Sequence, residues 1–318
     1  MTALDVVIMA AGKGTRMKSS MPKVLHPLAG KPLVQHVIDT AHALHTRHTI
    51  LITGHGAEVV EPLLQKAYPQ KALQFAKQMP QLGTGHAVQQ ALPLLDDDGV
   101  VVVLSGDVPL TQADTLQALI KACDGKNLAL LTIDFEDPTG YGRIVRGFDH
   151  QVHDIIEHKD ANELQLEIKE IYSGIMAVPA KWLKKWLPQL KNDNAQKEFY
   201  LTDVVRMAVS DHVKVVAHKI TDPAQVAGIN SPLQLAELER IYQTRQAHAL
   251  LAQGVRIIDP ARIDLRGTLT CQEDVLIDIN CIFEGRVQLG VGVHIGAHCV
   301  IANCVIEDNA VILPFTHI

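Results

Sequence analysis

A six-residue repeat near the C-terminal end constrains the fold more than any other feature of the sequence. Its aliphatic or aromatic positions, with one shortened step, are Ile277, Phe283, Leu289, Ile295, Ile301, Ile306, Ile312 and Ile318. Small or β-branched residues stand two positions earlier at Cys281, Val287, Val293 and Cys299. A period of six predicts coils with three flat sides and one inward side chain per side, which is a parallel β-helix. Because the pattern is still running at Ile318, we expect the sequence to be a fragment of a longer solenoid.

The N-terminal part, residues 1–232, alternates short aliphatic runs with helical patterns, which predicts βαβ units on a mostly parallel sheet. The predicted strands are residues 6–9, 49–53, 73–76 and 100–104, and the predicted helices are 57–66, 85–95 and a segment opened by Pro32. Residues 233–253 predict an amphipathic connector helix, with Leu235, Leu238, Ile241, Tyr242 and Arg245 along it. The β-helix is expected to occupy residues 254–318.

Composition excludes several classes of partner. The formal net charge is −6 and no dense block of lysine and arginine occurs, which argues against nucleic acid as the main ligand. The apolar runs have the length of a strand and fall short of the roughly 20 residues of a membrane helix. The N-terminal residues lack the features of a signal peptide, so we expect a cytoplasmic protein with no membrane segment. Five cysteines without a C-x-x-C pair predict reduced thiols.

A glycine-rich segment follows the first predicted strand and resembles a phosphate-binding loop. Residues 9–16 read Met-Ala-Ala-Gly-Lys-Gly-Thr-Arg, and Lys23 follows soon after. Gly12 and Gly14 let backbone amides approach an anion closely, while Arg16 and Lys23 add charges that can follow phosphates. A plain tight turn explains the two glycines equally well, so the pattern alone leaves both interpretations open.

Spacing excludes two better-known glycine motifs. A dinucleotide-binding fingerprint requires a further glycine where Met17 stands. A P-loop requires lysine and then serine or threonine after its last glycine, where this chain has Thr15 and Arg16. The segment therefore indicates neither a dehydrogenase nor a P-loop ATPase.

Asp107 follows the central predicted strand, which is apolar on both faces and ends in Ser105-Gly106-Asp107. In open α/β sheets ligands bind at the carboxyl ends of the strands, so this carboxylate is expected at the functional edge. Taken alone, an aspartate in this position can also cap the following helix.

These segments together resemble the GlmU family of bacterial enzymes, which are N-acetylglucosamine-1-phosphate uridyltransferases and glucosamine-1-phosphate acetyltransferases. The similar segments are residues 9–23, QLGTGHA at 81–87, SGDVPL at 105–110, PTGYGR at 138–143, EHKD at 157–160 and GIN at 228–230. They occur in the family's order and the resemblance extends over essentially the whole chain, which is more specific than any single motif. It implies a Rossmann-like nucleotidyltransferase domain followed by a truncated left-handed parallel β-helix.

The resemblance also implies roles for individual residues. Arg16 and Lys23 would act at the phosphates as catalytic residues, and Mg²⁺ would be held by Asp107 and Asn230. The implied substrate-binding residues are Ala10, Ala11, Gly12 and Gly14 in the loop, Lys23, Gln78, Gly83 and Thr84 around the nucleotide, Ser105, Gly106 and Asp107 at the strand end, Gly142, Glu157 and Tyr172 towards the sugar, and Asn230.

The implied reaction is attack by N-acetylglucosamine-1-phosphate on the α-phosphorus of UTP, giving pyrophosphate and UDP-N-acetylglucosamine, a precursor of peptidoglycan and lipopolysaccharide. An anionic phosphate is already nucleophilic at neutral pH, so we expect no general base; positioning and charge neutralisation would supply catalysis. The family's acetyltransferase site lies in later coils and a tail, so we expect no acetyl transfer from this polypeptide. The family forms a homotrimer through the β-helix, and the sequence does not decide whether this chain does.

Two departures from the family keep alternatives open. Tyr172 stands where the family usually has asparagine, and Ser105 stands where many members have tyrosine. The alternatives are a nucleotidyltransferase for another sugar phosphate or nucleotide, such as glucose-1-phosphate or dTTP, a nucleotide-sugar binding protein without turnover, and a β-helix assembly module with an N-terminal scaffold.

Overall fold

The computed structural model describes residues 3–70 and 73–318, which form two compact units. The first unit comprises the described residues up to Leu25 and the stretch from Val34 to Gly228. The second combines His26–Leu33 with Ile229–Ile318. Within the second unit, the Ala29 N–H donates a hydrogen bond of 2.7 Å to Glu239 Oε2, which helps to hold the short segment against the later residues.

The secondary structure alternates strands and helices in the first unit and consists mainly of short strands in the second. In chain order the strands are β1 (Leu4–Met9), β2 (Pro27–Leu28), β3 (Lys31–Pro32), β4 (His48–Thr53), β5 (Leu73–Lys77), β6 (Val100–Ser105), β7 (Leu128–Asp134), β8 (Gly142–Arg146), β9 (Val152–Ile156), β10 (Glu170–Pro179), β11 (Val215–Lys219), β12 (Arg256–Ile257), β13 (Ile263–Cys271), β14 (Leu276–Ile277), β15 (Cys281–Leu289), β16 (His294–Ile295), β17 (Val300–Ala302), β18 (Val305–Ile306) and β19 (Val311–Ile312). The helices are α1 (Leu33–Ala43), α2 (Ala57–Ala67), α3 (Thr84–Gln89), α4 (Ala113–Cys123), α5 (Glu163–Leu166), α6 (Ala180–Trp186), α7 (Val204–Ser210) and α8 (Pro232–Ala252). None of the helices in the described ranges combines the length and the apolar character needed to span a membrane.

The first unit is built on one mixed sheet whose main path runs β11-β7-β10-β6-β1-β4-β5, with β8 and β9 attached through β10. β1 pairs in parallel with β6 and β4, and β10 is inserted antiparallel between β6 and β7. Along β6, Val101 and Val103 enter one apolar core while Val102 and Leu104 enter another, so both faces of the sheet are covered. This confirms the mostly parallel α/β sheet and the doubly buried central strand.

Two of the predicted helix boundaries differ from those in the structure, and a proline lies at each of them. The helix predicted over residues 85–95 ends at Gln89, and Leu92–Leu94 forms a separate 3-10 turn. Pro93 has no N–H to donate and its ring crowds the preceding turn, which disfavours a continuous α-helix here. Pro32 does not open α1 but lies in β3, and α1 begins one residue later.

The bounds of the long helix α8 agree with the predicted ones to within a residue. The side chains that it buries differ from those of the predicted apolar face. Its buried residues are Leu238, Gln243, Ala247 and Leu250, whereas Ile241 is exposed. Gln243 is only 1% exposed because both ends of its amide are used. Its Nε2 donates to Leu265 O at 2.9 Å and its Oε1 accepts from Leu265 N at 2.7 Å. An apolar pattern could not reveal a buried glutamine that binds the backbone of β13.

The second unit contains the predicted parallel coils. Leu265, Phe283 and Ile301 are aligned on successive strands, so one coil takes 18 residues, or three repeats. After the shortened step, Leu289 aligns with Ile306, one residue short of a full coil. The repeat side chains from Ile277 to Ile306 are buried, while Ile312 is half-buried and Ile318 is exposed.

β15 covers two sides of its coil, because its first half pairs with β17 and its second half with β18. Gly285 stands between the halves with φ 66°, a left-handed conformation that favours glycine. A Cβ atom there would also overlap the Asn303 side chain of the next coil. Glycine at this corner is therefore required by both backbone conformation and stacking.

Candidate active site

A cleft of about 270 Å³ opens where β1 and β6 end, in the first unit. This is the carboxyl edge of the parallel strands, where open α/β sheets bind ligands. The cleft brings together the predicted residues Ala10, Ala11, Gly12, Lys23, Gln78, Gly83, Thr84, Ser105 and Asp107. Segments that are far apart in sequence therefore converge on one site, as the strand-end argument predicts.

Lys23 and Asp107 form an ion pair in the wall of this cleft. The Lys23 ammonium contacts Asp107 Oδ2, and each side chain is 14% exposed. Ser105 Oγ donates to Asp107 Oδ1 at 2.6 Å, so each carboxylate oxygen has a partner. The Gly106 N–H donates to Met9 O at 2.9 Å, which ties the end of β6 to the end of β1. The carboxylate is thus held in a defined orientation at the sheet edge.

The glycine-rich loop packs against the side chain of Lys23 at Gly14. Gly14 has φ 61°, and a Cβ atom at this position would lie 2.5 Å from Lys23 Cβ, so only glycine leaves room for the lysine stem. Arg16 lies in the 3-10 turn Thr15–Met17 and is exposed. The structure brings Gly14 against Lys23. Arg16 is exposed, and neither Arg16 nor Gly106 is among the residues that line the cleft.

Gln78, Gly83 and Thr84 form another wall through interlocking hydrogen bonds. Gln78 is buried, and its Nε2 donates to Gly83 O at 2.8 Å. Gly83 has φ 109°, and a Cβ atom there would meet Phe199 O at 2.6 Å. Thr84 Oγ1 accepts from Leu201 N at 3.0 Å. This wall is therefore braced by a distant segment around residue 200, and its glycine cannot be replaced without movement.

A second cavity of about 180 Å³ shares Met9 and Thr84 with the cleft and contains three further predicted residues, Gly142, Glu157 and Tyr172. Gly142 on β8 is aligned with Tyr172 on β10. A Cβ atom on Gly142 would lie 2.8 Å from Ile155 Cγ2, so a side chain there would displace a wall of the cavity. The two cavities together can accept a ligand with two chemically different halves.

Glu157 and Tyr172 are the polar groups that burial perturbs most clearly in this second cavity. Burial raises the pKa of Glu157, and the Asp160, Asp203 and Glu198 carboxylates add to this effect, although Thr202 Oγ1 opposes it by donating to Glu157 Oε1 at 2.9 Å. Burial raises the pKa of Tyr172 well above its ordinary value, and the charge of Glu157 contributes.

The Tyr172 side chain is 6% exposed, and its hydroxyl has no hydrogen-bond partner among the described residues. The raised pKa keeps this hydroxyl protonated over the range in which enzymes work, so it can donate a hydrogen bond. A buried hydroxyl without a partner is costly, and Tyr172 is one of the residues that line the second cavity.

Several residues of the two cavities were not found from the sequence. Glu198 lines the cleft, and Tyr141, Leu201 and Thr202 line the second cavity. Tyr141 stands inside a motif segment, but the other three belong to a stretch without recognisable spacing. Only their positions in the folded chain identify them.

Asn230 belongs to the second unit and directly precedes Ser231, whose side chain caps α8 by accepting from Gln234 N. The Asn230 N–H donates to Gln234 Oε1 at 2.8 Å. In the described part of the chain no group of three or more His, Cys, Asp or Glu side chains could hold a metal ion. Asp107 nevertheless suits Mg²⁺, because this ion prefers hard oxygen ligands and usually keeps several waters beside one or two carboxylates and phosphates. The joint site of Asp107 and Asn230 stays a prediction.

Comparison with known proteins defines the class of protein. The sequence profile of the MobA-like NTP transferase domain matches residues 6–256. A solved structure described as UDP-glucose pyrophosphorylase complexed with UDP-glucose has a similar fold, with a TM-score of 0.63 at 17% identity over 76% of this chain and 99% of that one. The protein is therefore a nucleotidyltransferase with the fold of this class.

Sequence relatives define the family more narrowly. The bifunctional protein GlmU of Paracidovorax citrulli (strain AAC00-1) is 62% identical, with 100% of this chain and 69% of that protein covered. The bifunctional protein GlmU of Polaromonas naphthalenivorans (strain CJ2) is 64% identical, with 99% of this chain and 68% of that protein covered. The chain belongs to the GlmU family.

Proposed function

We propose that this protein transfers the uridylyl group of UTP to N-acetylglucosamine-1-phosphate, which yields UDP-N-acetylglucosamine and pyrophosphate for cell-wall and lipopolysaccharide synthesis. The observation that carries the proposal is the Lys23–Asp107 pair at the end of β6, in a cleft that shares Met9 and Thr84 with the cavity of Glu157 and Tyr172. Membership of the GlmU family supports the same substrates.

The proposed reaction is a single displacement at phosphorus. A phosphate oxygen of the sugar phosphate forms a bond to the α-phosphorus of UTP, and the bond from that phosphorus to the bridging oxygen of the β-phosphate breaks. The electron pair leaves with pyrophosphate. The nucleophile is already an anion, so the chain need not remove a proton from it, and catalysis would come from positioning of the two substrates.

Charge neutralisation is the main task of the residues around the triphosphate. Lys23 projects into the cleft and would contact the phosphates, with the loop amides around Gly12 and Gly14 as further donors. Arg16, which is exposed, would add a further positive charge at the phosphates. Asp107 and Asn230 would hold Mg²⁺. When bound, this ion would neutralise phosphate charge and help to fix the reacting groups in line.

Recognition of the two substrates is divided between the two cavities. Gln78, Gly83 and Thr84 would contact the uracil side of the cleft, where the braced wall presents backbone and amide groups. Gly142, Glu157 and Tyr172 would surround the N-acetylglucosamine half. Glu157 is an acceptor and Tyr172 a donor, which suits hydroxyl and amide groups of a sugar.

Domain roles and assembly belong to the same proposal. Residues 1–232 would carry uridylyl transfer, 233–253 would connect the domains, and 254–318 would begin the β-helix. The protein would form a homotrimer through this last part and would act in the cytoplasm. Light scattering coupled to size exclusion would test the assembly, and a monomer at every concentration would contradict it.

Pyrophosphate release from UTP tests the function directly. The assay combines UTP, Mg²⁺ and N-acetylglucosamine-1-phosphate, with glucose-1-phosphate, dTTP and a metal-free reaction run in parallel. Release that requires Mg²⁺ and favours the N-acetyl sugar with UTP is the expected result. Faster release with another combination of nucleotide and sugar phosphate would support the same mechanism but indicate a different substrate specificity. No release from folded protein with any pair would contradict the proposal and favour a nucleotide-sugar binding protein.

A further inference from the structure

Arg143 is a charged residue that is almost completely buried, although its burial is unfavourable for the folded state. It is the second residue of β8, its side chain is 1% exposed, and no described carboxylate forms an ion pair with it. Burial lowers the pKa of this guanidinium, which means that the charged form is penalised by desolvation. Its Nε is buried without a hydrogen-bond partner as well. An apolar side chain in this position would avoid these costs.

The hydrogen bonds of Arg143 connect two separate segments. Nη1 donates to Pro138 O at 2.7 Å and to Tyr141 O, so it closes the turn that precedes β8. Nη2 lies 3.3 Å from His158 Nδ1. A guanidinium can only donate, so His158 Nδ1 is the acceptor. One rigid, planar fork therefore ties the turn before β8 to the turn after β9.

Both of these segments form walls of the second cavity. Gly140 and Tyr141 line it from the turn before β8, and Gly142 lines it from the start of that strand. Glu157, the neighbour of His158, lines it from the other side. A Cβ atom built on Gly142 would lie 3.7 Å from Glu157 Oε2, so the two walls are close to each other here. A bond that fixes one wall relative to the other also fixes the width of the cavity.

We propose that Arg143 is a positioning residue that sets the spacing between the 138–142 wall and Glu157, and thereby the affinity for the sugar phosphate. The inference rests on the proposed function, because it assigns the second cavity to the sugar half. Arg143 does not line the cavity and would act through Gly142 and Glu157. The nucleotide cleft is bounded by other segments, so binding of UTP would not depend on Arg143.

Steady-state kinetics with Arg143→Met and Arg143→Lys test this inference. We expect the KM for N-acetylglucosamine-1-phosphate to rise by about tenfold or more in Arg143→Met, because displacements near 1 Å can cost up to about a hundredfold in rate. The KM for UTP should stay within about twofold of the wild type, because the groups that bind UTP should not be displaced. Arg143→Lys keeps the charge but loses the fork, so its KM for the sugar phosphate should be intermediate.

Arg146→Met is the matched control. Arg146 lies on the same strand, but it is exposed and pairs with Glu170 through Nη2 at 2.8 Å. It contacts neither cavity wall, so its substitution should leave both KM values unchanged. Titration calorimetry adds a readout that does not need turnover: Arg143→Met should bind UDP-N-acetylglucosamine more weakly and UTP as the wild type does. His158→Ala, which removes one acceptor, should raise the sugar KM in the same direction and decides the case if the arginine variants do not fold.

Three outcomes would overturn the inference. These are unchanged KM values in folded Arg143→Met, equal loss of affinity for UTP and for the sugar nucleotide, and a wild-type sugar KM in His158→Ala where the arginine variants are unfolded. Absence of turnover in the wild type with any sugar phosphate is a different result, since it would contradict the proposed function itself.

Discussion

Replacing Tyr172 by phenylalanine should make the free protein more stable and should raise the KM for the sugar phosphate. The Tyr172 hydroxyl is buried without a partner in the described structure. An unsatisfied buried hydroxyl costs about 1–3 kcal/mol. Tyr172→Phe removes only that oxygen and keeps the ring, so we expect the free energy of unfolding to rise by about 1 kcal/mol. In a domain of this size, 1 kcal/mol corresponds to an increase of about 2–4 °C in Tm.

Loss of the same oxygen should also remove a hydrogen bond to the bound sugar. A neutral hydrogen bond contributes about 0.5–1.5 kcal/mol, so its loss should raise the KM for N-acetylglucosamine-1-phosphate by about two- to tenfold. The KM for UTP should be unaffected, because Tyr172 lines the second cavity and not the nucleotide cleft. Stability and function are thus expected to change in opposite directions.

Differential scanning calorimetry without ligand measures the change in Tm, and initial-rate kinetics measure the change in KM. Tyr200→Phe is the control for stability, because the Tyr200 hydroxyl donates to Asp160 Oδ2 at 3.1 Å and its loss should lower Tm. Burial, together with this bond, raises the pKa of Tyr200 to about 12. A Tyr172→Phe protein that loses as much stability as Tyr200→Phe, or keeps the wild-type sugar KM, would refute the reasoning.

Three further substitutions test other parts of the structure. Gln243→Leu leaves the Leu265 N–H and C=O buried without partners, so it should lower the free energy of unfolding by about 2–4 kcal/mol in urea denaturation. Asp107→Ala should lower turnover by about a hundredfold or more while Tm stays close to the wild type; near-normal turnover would contradict the metal assignment. The raised pKa of Glu157 means that the folded state binds a proton more tightly than the unfolded state, whose pKa is near 4.5, so stability falls as pH rises through the interval between the two pKa values. Glu157→Gln removes this loss, so its stability relative to the wild type should increase as the pH rises above about 4.5 in urea unfolding, and a constant difference would contradict the assignment.

Patterns with a strict period were the most informative part of the sequence. The hexapeptide repeat predicted which side chains point into the coils, because each inward position recurs at a fixed interval and neighbouring coils impose the same environment. The aliphatic run of β6 predicted a strand covered on both faces for a similar reason. Position at a strand end then placed Asp107 correctly at the edge of the sheet without knowledge of its partners.

Features that depend on long-range contacts could not be predicted. Gln243 is polar in sequence and buried in the fold, because its partner is the backbone of a strand 22 residues away. Thr202 reaches Glu157 across 45 residues, and nothing in the spacing of either residue indicates this contact. The same holds for Arg143, which stands inside a recognisable motif although its burial and its bond to His158 appear only in the structure.

The most direct test of the central claim follows the α-phosphorus of UTP. UTP radiolabelled at that atom is incubated with N-acetylglucosamine-1-phosphate, Mg²⁺ and either the wild type or folded Asp107→Ala, and the products are separated by chromatography. We predict that the label appears in UDP-N-acetylglucosamine, in step with unlabelled pyrophosphate, for the wild type and that transfer is largely lost in the variant. Label that stays in UTP with folded wild type, or that reaches the sugar nucleotide equally well with Asp107→Ala, would contradict uridylyl transfer at this cleft.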